Sequence, residues 1–263
     1  MRWDIAVARR YQAKRRSAMR RPMDLSPTGS RAAGREILRT EGISSGYGLL
    51  PVVREVSIRV NKGEVVALLG ANGAGKTTTL LTVCGYLNPL AGDIYFQGSK
   101  LSGPMHRRCR NGIGFVPEAK AVFPTLTTAE NLRLGAGGVE GAVELMPELK
   151  HLLERRAGLL SGGEQQIMVL ARVLASTPSL IIADELSLGL APSVVTRLLG
   201  AIRAAADSGA GVLIVEQYVR RALDIADRVY VMRRGSIEMS GTTAQVRSRL
   251  DEVEGLYLST EPG

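Results

Sequence analysis

The stretch EVVALLGANGAGKTTTLL, residues 64–81, constrains this chain more than any other. An apolar run that suits a buried strand enters a glycine-rich turn, and a helix-forming segment follows without a gap. The turn fits G-x-x-x-x-G-K-[ST], with glycines at 70, 73 and 75. Such a turn lets the backbone curl until its N–H groups line an anion, and the helix start adds the positive end of its dipole. Gly70, Asn72, Gly73, Ala74, Gly75, Lys76, Thr77 and Thr78 are therefore expected to hold the phosphates of a nucleotide. Lys76 places a cation on the outer phosphates, and the Thr77 hydroxyl is a ligand for Mg²⁺. The unit predicts an α/β fold with a P-loop at the end of a buried, mainly parallel strand.

A second apolar strand, LIIADE (180–185), ends in two carboxylates. Asp184 suits the outer shell of Mg²⁺, while Glu185, pointing the other way, is placed to polarise an attacking water. Together with the P-loop this predicts an ATPase rather than a kinase or a GTPase. A third stretch, LSGGEQQ (160–166), puts a serine and two glycines before the apolar periodicity of IMVLARVLA. It is a second anion site at a helix start. One nucleotide in one chain cannot use both cradles, but a second copy can bring the missing one. Two copies paired head to tail would set Ser161, Gly162 and Gly163 of one over the γ-phosphate held by Lys76 of the other. ATP then lies in the interface of a two-fold dimer.

Around these motifs, strands alternate with helices: DIYFQG (93–98), GIGFVP (112–117), a helix near 193–207, GVLIVEQ (211–217), ALDIAD (222–227), RVYVMRRG (228–235) and SIEMSG (236–241). That order implies a largely parallel sheet. The run near 37–43 and the alternation in EVSIRV (55–60) predict an antiparallel flank. Residues 127–156 read as helical and polar with a break at GAGGVEG, a small lobe spanning about 118–165, and a last helix falls at about 243–258. Apolar runs stop far short of the roughly 18–20 residues that span a bilayer, so the chain is expected to be soluble or peripheral. Cys84 and Cys109 lack any C-x-x-C spacing and read as reduced thiols.

The net charge of +9 comes almost wholly from residues 1–35, which hold ten basic and two acidic side chains. The remaining 228 residues carry 24 basic and 23 acidic ones. A nucleic-acid binder spreads its basic surface over the folded domain, so nucleic acid is not an expected partner. Residues 1–35 read as a leader with three readings: a solvated, disordered extension, a basic arm for anionic lipid or a membrane partner, or an Arg-rich transit peptide.

The combination of GANGAGKTT, LSGGEQQ and LIIADE resembles the ATP-binding cassette (ABC) ATPases over residues 36–260. The resemblance implies ATP and Mg²⁺ as cofactors, a dimer with itself or with a second cassette, and transmembrane permease subunits as partners. It also implies adenine stacking on Tyr47, an interface loop at SLGLAP (187–192), and Glu164 beside Ser161 in the trans phosphate site. Gln217 stands where many cassettes have histidine; His106 and His151 lie elsewhere and are expected to face solvent. Glu118 replaces the usual glutamine in the loop that senses Mg²⁺ and the membrane partner. Leu186 stands where proline is usual, which loosens that loop, and the segment from Asn131 to Ser161 is short for the family. VPE-x-K-x-VFP-x-LT, VEQ and DELSLGLAP resemble the ATPase subunit of branched-chain amino-acid importers. The cassettes of urea and short-chain amide importers share VEQY and stay open as an alternative. The importer reading places the chain on the cytoplasmic face of the plasma membrane, with an extracytoplasmic solute-binding protein as an indirect partner. A nucleic-acid-associated cassette needs coiled-coil arms or tandem cassettes, which one P-loop and one signature do not supply. A non-hydrolysing regulatory cassette conflicts with intact Lys76, Asp184 and Glu185.

Overall fold

Period-two alternation in one strand divides the interior. In β4 (Val65–Leu69), Val65, Ala67 and Leu69 belong to one core cluster and Val66 and Leu68 to another, and all five are fully buried. A strand apolar on both faces must lie between two layers. The computed structural model that provides this view describes residues 10, 11, 13, 14, 35–48, 50–119 and 121–258.

The central sheet has six strands in the order β11-β10-β4-β9-β8-β7, where β7 is Ile113–Val116, β8 Leu180–Asp184, β9 Gly211–Glu216, β10 Arg228–Arg233 and β11 Ser236–Thr242. All neighbours are parallel except the β10–β11 hairpin. A second, antiparallel sheet is built on β1 (Glu36–Tyr47), which pairs with β2 (Leu50–Val56), β3 (Arg59–Asn61) and β5 (Ala91–Phe96), while β6 (Ser99–Lys100) extends β5. The two sheets enclose one cluster, with the helix α1 (Lys76–Cys84) between them. The opposite face of the central sheet is covered by α5 (Gly162–Ala175) and α6 (Pro192–Asp207). The parallel core, antiparallel flank and helical lobe agree with the expected fold class.

Three local readings need correction. EVSIRV is not one strand: β2 ends at Val56 and β3 begins at Arg59. Buried Thr40 breaks it, because its hydroxyl accepts from the Ile58 N–H at 2.8 Å and donates to the Val56 carbonyl at 3.1 Å. The helix at 243–258 is two, α8 (Thr243–Arg247), capped reciprocally by Thr242 and Gln245, and α9 (Leu250–Leu258). The helix placed at 222–227 is α7, Val219–Ile225.

The lobe is made of α3 (Thr128–Arg133), α4 (Gly138–Leu145) and two short 3₁₀ turns, Pro147–Leu152 and Ala157–Leu159. Buried Asn131 organises its entry, accepting from the Phe123 N–H and donating to the Phe123 and Thr127 carbonyls. An ion pair between Glu148 and Arg197 ties the lobe to α6. Helical residues of the leader pack here too. Tyr11 is fully buried within the cluster that holds Leu145 and Met146, and Arg10 donates to the Glu144 carbonyl at 2.9 Å. A solvated extension does not bury a tyrosine, so that reading does not describe these residues. The other leader residues lie outside the described ones.

At the far end of α1, the buried Arg108 of α2 (Met105–Arg110) donates to the Gly103, Thr82 and Val83 carbonyls at 2.8–3.0 Å. It caps the negative end of the helix whose other end is the P-loop.

Candidate nucleotide site

The carboxyl ends of β4, β8 and β9 lie side by side in parallel register, and the loops that leave them form one cleft. This is where open α/β sheets place ligands. The first loop turns sharply at Gly70, where a Cβ would come within 2.4 Å of the Met232 carbonyl oxygen. It enters α1 through Gly75, an N-cap at φ 105°, a left-handed position that favours glycine. The Gly70 N–H is held from a distant part of the chain, donating to Tyr257 Oη of α9 at 2.9 Å.

Lys76 is buried, and its ammonium donates to the Gly70 and Ala71 carbonyls at 2.9 and 3.1 Å, with Glu185 Oε1 at 3.8 Å. Burial pushes its pKa down, against the pull of Glu185, Asp184 and Glu118. Asp184, at the end of β8, is 1% exposed. Its carboxyl is pushed up to about 6, first by burial and further by Glu185 and Glu118, while a hydrogen bond from Thr77 and the charge of Lys76 oppose the rise. Its Oδ1 has no hydrogen-bond partner among the described residues. A buried carboxylate with one open oxygen, bonded to a hydroxyl and flanked by two more carboxylates, is a donor set that fits a hard divalent cation. The same residues are costly to keep charged without one.

Glu185 sits at φ 46°, unusual for a residue with a side chain, and its N–H donates to the Val215 carbonyl at 3.0 Å. Backbone strain of this kind concentrates at functional positions. A cavity of about 350 Å³ gathers Asn72, Gly73, Gly75, Lys76, Thr77, Thr78, Glu118, Glu185 and Gln217. Nine predicted residues from four separate stretches thus share one wall.

Others lie apart. Ala74 is buried and turns its N–H to the Ala71 carbonyl, so it does not face the cavity. Gly70 serves through its carbonyl, and Asp184 lies beneath the wall, reached through Thr77. Tyr47, at the β1–β2 turn, is 55% exposed and outside the cavity. Ser161, Gly162, Gly163 and Glu164 do not line it either. Ser161 instead caps α5: its hydroxyl accepts from the Glu164 N–H, and Glu164 Oε2 accepts from the Ser161 N–H at 2.7 Å. Those bonds hold the Glu164 carboxyl below its usual range, and they leave Ser161 exposed with Gly162, Gly163 and Glu164 half-buried. His106 and His151 are exposed as expected. Val52, Leu188 and Tyr257 were not anticipated. Val52 belongs to a strand that the alternation did not mark, and Tyr257 has no local signal at all.

The fold and this cavity define a P-loop ATPase of the cassette type. A family profile described as ABC transporter matches residues 53–187, and the chain belongs to that family. It is 41% identical to the high-affinity branched-chain amino acid transport ATP-binding protein BraG of Pseudomonas aeruginosa, over 84% of this chain and 99% of the relative. It is 36% identical to the lipopolysaccharide export system ATP-binding protein LptB of Haemophilus influenzae, over 86% of this chain and 98% of that one. An ATP-binding cassette of an ABC transporter in its ADP conformation superposes with a TM-score of 0.77 at 29% identity, covering 85% of this chain and 99% of the other. The chain is an ATP-binding, ATP-hydrolysing subunit of an ABC transporter. No helix of the described residues is long and apolar enough to cross a membrane, and cassettes of this family work as dimers with transmembrane subunits.

Proposed function

We propose that the chain energises a branched-chain amino-acid importer from the cytoplasmic face of the membrane. The similarity to BraG over nearly its whole length carries this reading. The VPE, VEQ and SLGLAP stretches support it. Lys76 and the N–H groups of residues 72, 73 and 75–78 hold the β- and γ-phosphates. Thr77 and Asp184, with Glu118 facing them, would hold Mg²⁺, which when bound offsets the charge of the phosphates. Glu185 takes the proton of the attacking water, and Gln217 donates its amide N–H to the γ-phosphate. Tyr47 stacks adenine, and Ser161, Gly162, Gly163 and Glu164 complete the site of a second cassette, either this chain or a related subunit. The permease docks where the lobe meets the core, in a groove of about 640 Å³ lined by Phe123, Leu134, Phe115 and Val122.

The similarity to LptB favours a second reading, that of an exporter ATPase. Reconstitution of the chain with its own permeases and binding protein separates them. ATP-driven uptake of leucine, isoleucine or valine is the expected result. Uptake of urea or short-chain amides alone, or no uptake with ATP turnover that responds to a lipid, would overturn the proposed solute.

A further inference from the structure

Beyond the residues that face the cavity, one buried side-chain bond joins two of its edges. Ser187 Oγ donates to Glu216 Oε2 at 2.6 Å, and both residues are buried. Each directly precedes a residue that lines the cavity: Leu188 follows Ser187, and Gln217 follows Glu216. Backbone pairing between β8 and β9 ends with the Glu185 N–H on the Val215 carbonyl. The Ser187–Glu216 bond continues that tie past the sheet, into the two loops.

A buried carboxyl is an expensive way to fill space. Glu216 Oε1 has no hydrogen-bond partner among the described residues, so an apolar side chain of similar size would cost less there. Burial raises the Glu216 pKa, Ser187 opposes it, Glu185 adds to it and Arg221 opposes it. A neutral carboxyl still accepts the Ser187 proton, as would a glutamine amide.

We propose that Glu216 is a positioning residue for ATP hydrolysis: through Ser187 it holds the Leu188 and Gln217 loops in one register without touching the nucleotide. This rests on the proposed γ-phosphate contact of Gln217. Two shorter explanations fit less well. A packing role does not need a polar pair, and a role confined to one loop does not need a partner on the other.

The test uses the full chain with Ser187→Ala, Glu216→Ala, Glu216→Gln and the double alanine variant. Amide hydrogen exchange is read without nucleotide over 186–191 and over 217–220, and kcat and KM for MgATP are read separately. Loss of one such bond is expected to speed exchange in both segments by roughly 3- to 10-fold and to lower kcat similarly with little change in KM. Glu216→Gln should restore both, and the double variant should be no worse than either single one. Faster exchange only in the loop that carries the substitution, or additive losses in the double variant, would overturn the proposal. If Glu216→Ala does not fold, Ser187→Ala against Glu216→Gln still decides. A Gln217→Ala arm that keeps full turnover while the exchange coupling persists would sink the Gln217 reading and leave the tie itself standing.

Discussion

Asp184 is a buried acid whose proton is held more tightly in the folded chain than in the unfolded one. As pH rises from about 4 to about 6, the unfolded chain releases that proton first, so nucleotide-free stability falls across this window and then levels. Asp184→Asn removes the titration. It should be more stable than the parent at pH 8 by roughly 2–3 kcal/mol at most, with the gap closing as pH falls towards 4. Urea melts at several pH values check this, and a gap that widens on acidification would refute it. The neighbouring carboxylate has another task. Glu185→Gln keeps the size of the side chain but removes the base, so turnover should fall by about 100-fold or more while MgATP still binds. Sizing with and without ATP should then show a trapped dimer. Wild-type turnover would remove Glu185 from the mechanism.

At the scale of elements, the start of α5, with Ser161 exposed, stands apart from the cavity of its own chain. A mixture of Lys76→Ala chains with Ser161→Arg chains should therefore regain activity. In each mixed dimer one site receives the intact P-loop and the intact helix start, and up to about half of the activity returns if sites act independently. Should the natural dimer pair this chain with a different cassette, the same mixing is done with that partner. No rescue in either arrangement would end the composite-site reading. What the sequence made legible follows the same scale. The P-loop, LIIADE and LSGGEQQ could be read because each packs its chemistry into one short segment at a strand end or helix start. The β1–β2 hairpin could not, because its register shifts between Ile43 and Gly46 break the period-two alternation, and the packing of Val52 and Val53 against Gly75 is tertiary. Leu188 and Val52 reach the cavity only through such tertiary placement, and Ala74 fell in the P-loop pattern although its N–H is already engaged by the loop itself.

For the whole molecule, the leader matters more than its charge suggested. Tyr11 joins the main cluster beside the lobe, and Arg10 binds the end of α4. Tyr11→Ala should destabilise the chain by about 3 kcal/mol, and deletion of residues 1–35 should act in the same direction, with the P-loop chemistry intact in whatever stays folded. Thermal melts of both variants provide the measurement; unchanged melting would return the leader to a solvated arm.

The hydrogen bond from Gly70 to Tyr257 spans 187 residues, and it sets an order of events during protein synthesis. The P-loop leaves the ribosome first, and the hydroxyl that secures its first turn follows 187 residues later. A nascent chain thus carries the whole phosphate-binding motif long before the motif has its final support. The ATP site is finished only when α9 has emerged, so a message cut short between Thr78 and Tyr257 encodes a chain with the motif and without its anchor.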